Sequence, residues 1–294
     1  MCIPGPDCYE CRGIDCFCIR SKPLTCNPIT RTSPRKCINK KCGYDNTISN
    51  LSITEVTNLK RFITYSMISY CLNSATWKCG PLCDRIPQAV VVKTFTIKPN
   101  FWIQLFGSDA YAYTVITTNS NDQEIVVTFR GTADDRNKMK NFEFAQAPHG
   151  YASTSIPTSS DDVKVHYGFY SILAVVSLAL LTALDIKQFF KEASSYLYTY
   201  SEPWVENSKF ASFVNNNLNL ILRVVNKAKL VLHLPPLIAG YEHHKGEVWI
   251  ADPTNVVKCS DDENYSCSDS VPMPIMDDHF GPYWDISINT GLCK

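Results

Sequence analysis

Cysteine is the first residue type here that could do chemistry: the 294-residue chain has 14 of them, and Cys2, Cys8, Cys11, Cys16, Cys18, Cys26, Cys37 and Cys42 crowd its first positions. Oxidised, they cross-link; deprotonated, Cys8-x-x-Cys11 with Cys16 and Cys18 could hold a zinc ion. The zinc reading is the poorer one, because Cys16-x-Cys18 is a cramped spacing and the segment has no histidine. A disulfide-knotted or loose appendage is the plainer reading, and a faulty upstream exon is a third. Histidine comes next. His243 and His244 are adjacent, and adjacent side chains diverge in most backbone conformations, so they do not read as a joint metal site. With His233 they read as structural. A serine becomes a nucleophile only when a base and a tight turn present it. Ser177 stands between Val176 and Leu178 in an apolar run with no glycine beside it. Serine inside a helix bonds back to its own turn.

The elements that must position such groups begin after residue 50. Residues 1–50 are rich in Cys, Pro, Lys and Arg and lack periodic apolar residues, so cross-links would have to hold them. From Ile53 onward, Leu59, Phe62, Ile63, Tyr65, Met67 and Ile68 recur at helical spacing and predict a helix running into Tyr70-Cys71. Residues 89–95, 110–117 and 124–129 read as strands, the last ending at Arg130-Gly131-Thr132. Residues 133–164 read as a long loop with one short helix. Residues 174–193 read as a helix that is apolar all round as far as Leu184, which predicts a buried first half. Residues 196–200, 220–225 and 247–251 read as strands. Strands alternating with helices predict an α/β fold with a largely parallel sheet.

Composition excludes several classes. Hydrophobic residues are 45% and charged residues 19%, as in globular proteins. Lys+Arg and Asp+Glu are 28 each, and this balance argues against nucleic acid as a partner. No run reaches the roughly 18 apolar residues of a membrane-spanning helix; the longest, residues 172–184, is broken by Ser177 and Thr182. The start, MCIPGPDCYE, has neither a basic nor an apolar leader region, so no secretory signal is visible, yet the cysteine content suits an oxidising compartment. A start codon upstream of Met1 would reconcile the two, as would export without a visible signal; the first is the expectation.

A series of short segments stands in one order: YC-LNSATW-KC near residue 70, IVVTFRGT at 125–132, VHYGF at 165–169, LTALDI at 181–186, LYTYSEP at 197–203, RVVNKAKLVLHLPP at 223–236, GYEHHKGEVWI at 240–250, KCSDDENYSC at 258–267, then DDHFGPYW and INTGLC. In that order they resemble the fungal class 3 lipases, the Rhizomucor-type triacylglycerol lipases. The resemblance implies an α/β-hydrolase fold with a mostly parallel central sheet over residues 51–294, residues 1–50 forming a separate Cys-rich segment. It implies disulfides Cys71–Cys293, Cys79–Cys83 and Cys259–Cys267. It also implies extracellular, cofactor-free and metal-free hydrolysis, with a lipid or other ester as the partner. In that mechanism a Ser attacks the ester, a His relays its proton and an Asp orients the His. His279, in Asp277-Asp278-His279, matches the histidine, and Thr132 matches the oxyanion-hole residue.

The departures bear on activity. None of the 12 glycines forms the G-x-S-x-G turn that carries the nucleophile. The chain passes from YGFYSIL straight into AVVSLALLTALDI, where the family has a further helix, a strand and the nucleophile turn. Lys229 occupies the place of the catalytic Asp; a lysine cannot accept a hydrogen bond from imidazole and opposes an imidazolium. The second oxyanion donor is lost with the nucleophile turn. In the lid segment, residues 134–142, Asp135, Lys138 and Lys140 stand at positions that are apolar in the family, which predicts weak binding to a lipid surface. Trp204 and Glu206 replace Arg and Gly, which predicts a strained backbone at Glu206. The expected sheet is one strand short, with residues 125–129 and 196–200 pairing directly. The expected activity is slight or nil, with a lipid- or partner-binding pseudolipase as the alternative. An esterase with a displaced nucleophile, Ser177, is the third reading.

Overall fold

A computed structural model of the chain describes residues 48–97, 110–119, 122–131, 146–148, 164–166, 175–204, 206–227, 240–259, 267–268, 282–286 and 293, together with four short strands before them. Those four form two hairpins: β1 (Glu10–Arg12) with β2 (Asp15–Phe17), and β3 (Arg35–Ile38) with β4 (Lys41–Tyr44). Next come β5 (Ile48–Asn50) and helix α1 (Ile53–Ile68). The start of α1 is set by a capping box. Ser52 Oγ accepts from the Glu55 amide at 3.2 Å while Glu55 accepts from the Ser52 amide at 2.8 Å. Leu59, Ile63, Met67 and Ile68 form its buried face, as the spacing predicted.

After the short helix α2 (Pro81–Asp84), strands β6 (Val90–Ile97), β7 (Ala110–Asn119) and β8 (Asp122–Phe129) make an antiparallel meander. A small hairpin follows, β9 (Gln146–Pro148) with β10 (Lys164–His166). Then come α3 (Val175–Phe189), β11 (Tyr196–Tyr200), α4 (Ser208–Asn217), β12 (Leu220–Asn226), β13 (Glu247–Asp252) and β14 (Asn255–Cys259). The second sheet has the order β11-β12-β13-β14-β5; β11, β12 and β13 are parallel, and β14 and β5 add antiparallel. Ile48–Asn50, the end of the Cys-rich stretch, thus closes one edge of this sheet.

The pleat divides the side chains between two layers. Leu222, Val224, Val248 and Ile250 point to the core built with α1, while Leu197 and Ile221 point to Leu180 and Leu184 of α3 and Phe210 and Val214 of α4. Within α3, Leu180 and Leu184 are fully buried but Leu181 and Ala183 are only half-buried, less than the all-round apolar pattern predicted. The unit that the resemblance would place beside α3 is the one missing from the sequence. The three implied disulfides, Cys71–Cys293, Cys79–Cys83 and Cys259–Cys267, are all present. The first closes a separation of 222 residues, a constraint of about 5 kcal/mol in the chain-entropy account. No helix among the described residues is long and apolar enough to cross a membrane.

The expected pairing across the missing strand does not form. Among the described residues β8 ends the three-stranded sheet and β11 ends the five-stranded one, with no ladder between them. Helices contact both strands instead. Arg61 of α1 pairs with Glu124 of β8 at 3.0 Å, while its neighbour Phe62 stacks on Tyr198 of β11 with ring centroids 3.9 Å apart. Helix α3 also touches both strands.

Candidate active site

In open α/β sheets the chemistry lies beyond the carboxyl ends of the parallel strands. At the end of β11, Ser201 has a left-handed backbone, φ 62°, and its amide donates to the Val224 carbonyl at 3.0 Å. Its hydroxyl is hydrogen-bonded to the phenol of Tyr283. Tyr283 is held in turn by a reciprocal backbone bridge to Ile286 and by an edge-on contact with Tyr200 at 5.6 Å. Burial raises the Tyr283 phenol well above its ordinary range, so it keeps its proton and cannot act as a base toward Ser201. Within this pair Tyr283 positions the Ser201 hydroxyl and does not deprotonate it.

Tyr70, which follows α1, meets Gly131, which follows β8. A β-carbon on Gly131 would lie 2.3 Å from the Tyr70 hydroxyl oxygen, so only glycine admits the phenol there. Burial pushes the Tyr70 phenol up to about 12. The Arg130 amide donates to the Tyr111 carbonyl at 2.8 Å, and its guanidinium lies 5.7 Å from the Tyr111 ring centre. Arg130 and Gly131 thus anchor the turn that leads to Thr132. Thr132, Lys229, His233, His279 and the lid segment 134–142 lie outside the described residues. Ser177 falls within α3, the setting expected for a serine that is not a nucleophile. Sequence reasoning missed Tyr70, Ser201 and Tyr283. Tyr70 and Tyr283 lie in segments that carry the resemblance, but only the fold shows that they face the site.

A second polar group lies on the α4 side of the sheet. Thr199, Arg223 and Glu247 stand side by side on β11, β12 and β13, and Arg223 pairs with Glu247 at 3.1 Å. Beside them lie Glu202, Glu206 and His244, all fully buried. Burial favours a neutral Glu202, but the His244 charge, with hydrogen bonds from His244 and Thr199, lowers its pKa. Burial disfavours a charged His244, yet the Glu202 carboxylate raises it to about 9. Burial, reinforced by the Glu202 charge, pushes Glu206 up to about 8. What the replacement of Gly brings at this position is a buried carboxyl group.

A mixed sheet with a parallel centre, helices on both faces and a site at the strand ends is the α/β-hydrolase fold. The "Lipase (class 3)" family model matches residues 176–239. Over 290 aligned residues the chain is 29% identical to a lipase of Rhizomucor miehei, spanning 85% of this chain and 74% of that protein. It is 26% identical to a secreted mono- and diacylglycerol lipase of Fusarium solani, over 67% of this chain and 64% of that one. Among solved structures it is 30% identical to a triacylglycerol lipase whose catalytic centre is a serine-protease triad, with a TM-score of 0.66 over 84% of this chain and 100% of that one. The chain belongs to the fungal class 3 lipase family.

Proposed function

We propose that the chain, as it stands, is a non-hydrolytic class 3 lipase that keeps the frame of a triacylglycerol or carboxylic ester hydrolase without its nucleophile. One observation carries this reading. The strands β8 and β11, which would flank the nucleophile-bearing strand, have no strand between them among the described residues. The sequence agrees, having no G-x-S-x-G and having Lys229 at the acid position. Thr132 would supply at most half of an oxyanion hole, and one lost donor alone costs about 10²–10³ in rate. His279, without its two partners, reads as a remnant of the triad or a satisfied polar residue. Domain limits at residues 1–50 and 51–294, and an extracellular location, belong to this reading. The three disulfides and the secreted Fusarium relative support that location. A residual role in binding lipid or a partner is the form of function left to such a frame, weakened toward lipid by the charged lid.

The test combines labelling by a fluorophosphonate probe with hydrolysis of tributyrin emulsions. The expected outcome is no covalent label and hydrolysis within about tenfold of buffer, as a site without nucleophile and full oxyanion hole requires. Labelling that tracks turnover would overturn the proposal and make the protein an active esterase with a displaced nucleophile. Mapping the labelled peptide would then decide between Ser177 and Ser201. The unclosed gap favours a second reading, a hydrolytic form restored by an in-frame segment between residues 170 and 185. Sequencing the native transcript across that region decides it.

A further inference from the structure

One buried group of donor atoms plays no part in the ester chemistry. Glu202 lies just beyond β11, Glu206 is bridged to Glu242 by a 2.9 Å backbone hydrogen bond, and His244 leads into β13. Their side chains are 0% exposed. A carboxylate oxygen from each glutamate and a ring nitrogen of His244 all lie within 4.8 Å of one another.

Hydrogen bonds satisfy only part of this cluster. His244 Nδ1 sits 3.0 Å from the Lys245 carbonyl oxygen, which can only accept, so Nδ1 carries a hydrogen. That leaves Nε2 facing Glu202 Oε2 at 3.2 Å. The Thr199 hydroxyl donates to the same Oε2 at 2.5 Å. Among the described residues, Glu202 Oε1 and both carboxylate oxygens of Glu206 accept no hydrogen bond of ordinary geometry, although the His244 amide is near enough to lower the Glu206 pKa. A proton on Nε2 would serve Glu202 and leave Glu206 unserved. Buried, unpaired carboxylate oxygens mark a place that a cation can fill.

We propose that Glu202, Glu206 and His244 bind one divalent transition-metal cation of the zinc type. The charge fits once the metal displaces the protons held by His244 and Glu206: two carboxylates and a neutral imidazole then carry −2, and the neighbouring Arg223 and Glu247 cancel each other at 3.1 Å. The donor set fits, because imidazole nitrogen with carboxylate oxygens is zinc chemistry, whereas calcium takes 6–8 oxygens. The spacing fits as well. Ligands at about 2.0–2.1 Å from zinc in a tetrahedron stand about 3.3–3.4 Å apart, close to the observed Nε2–Oε2 distance of 3.2 Å. Glu206, with both oxygens unused, can chelate through both and complete four donors. The Lys245 carbonyl on Nδ1 and the Thr199 hydroxyl on Glu202 are the outer contacts that orient such ligands. The other group of this kind among the described residues, Glu247 with Cys259 and Cys267, offers no thiolate, since its sulfurs form a disulfide. The ion would pin the turn after β11 to the lead into β13. Because the family carries glycine at position 206, the site belongs to this chain rather than to class 3 lipases in general.

The test uses the full-length protein, stripped with a chelator, dialysed and titrated with zinc chloride by calorimetry, with melting followed in parallel. One zinc per chain and a raised melting temperature are expected, together with roughly 100-fold weaker binding in Glu206→Gln, since loss of a direct ligand should cost at least as much as the roughly 10–100-fold lost with an outer contact. His244→Ala provides a second variant with the same expectation should Glu206→Gln fold poorly. Cobalt substitution supplies a spectroscopic reading, and the expected spectrum lacks thiolate-to-metal charge transfer. Absence of binding would overturn the proposal. So would binding that is unchanged in both variants or that shows thiolate charge transfer, either of which assigns the metal to the N-terminal cysteines.

Discussion

At Gly131 a backbone and a phenol share one space. The missing β-carbon lets the Tyr70 hydroxyl sit against the turn that leads to Thr132. A methyl group there must displace a buried ring, so Gly131→Ala should destabilise the protein by roughly 1–3 kcal/mol, as overpacking does. In a Tyr70→Phe background the clashing oxygen is gone and the same substitution should cost less, with a coupling of at least about 0.5 kcal/mol for groups in contact. A double-mutant cycle by chemical denaturation checks this, and additive effects would mean that the two residues do not compete. Residue-scale features of this kind were poorly legible in the sequence. The twelve glycines could be searched for a nucleophile turn, but nothing in the string tied Gly131 to a tyrosine sixty-one positions earlier. Glu202 and His244 were equally hidden, because they become neighbours only once β11 and β13 flank β12.

Elements were far more legible. The alternation at residues 196–200 corresponds to β11 residue for residue, and the helical spacing after Ile53 corresponds to α1. Both patterns are local and amphipathic, so the chain dictates them before any tertiary contact forms. What escaped was the relation between elements. Pairing of β8 with β11 looked available from connectivity, but α1 and α3 brace the two strands separately. Each sheet consequently ends in a strand with an edge unpaired among the described residues, and Ile125 on β8 is 68% exposed. Exposed apolar edges recruit other strands, and a charge on the edge blocks this. Ile125→Lys should lower concentration-dependent self-association in sedimentation velocity without lowering the melting temperature. Equal self-association in the two proteins would show that this edge is not the sticky one.

For the molecule as a whole, four phenols shielded by the fold, two of them on fully buried residues (Tyr113 and Tyr283) and two on half-buried ones (Tyr70 and Tyr200), act as reporters of global unfolding. Tyr70 follows α1, Tyr113 lies on β7, Tyr200 on β11, and Tyr283 near the C-terminus, and burial raises all four pKa values, that of Tyr70 to about 12. The folded state therefore binds more protons than the unfolded state above pH 10, and stability falls as pH rises from there. Tyrosinate absorbance should show one population titrating near pH 10 and a second appearing only with a cooperative loss of structure. A single smooth titration of all 15 tyrosines would contradict the burial. The Cys71–Cys293 bond bears on the same scale, in time rather than in space. Its two sulfurs are separated by 222 residues, and eight other cysteines precede Cys71 in the chain. During synthesis from the N-terminus, Cys71 emerges among thiols that can capture it long before its partner exists. The native bond must then be reached by exchange, so the yield of correctly folded protein depends on a disulfide isomerase as much as on the sequence.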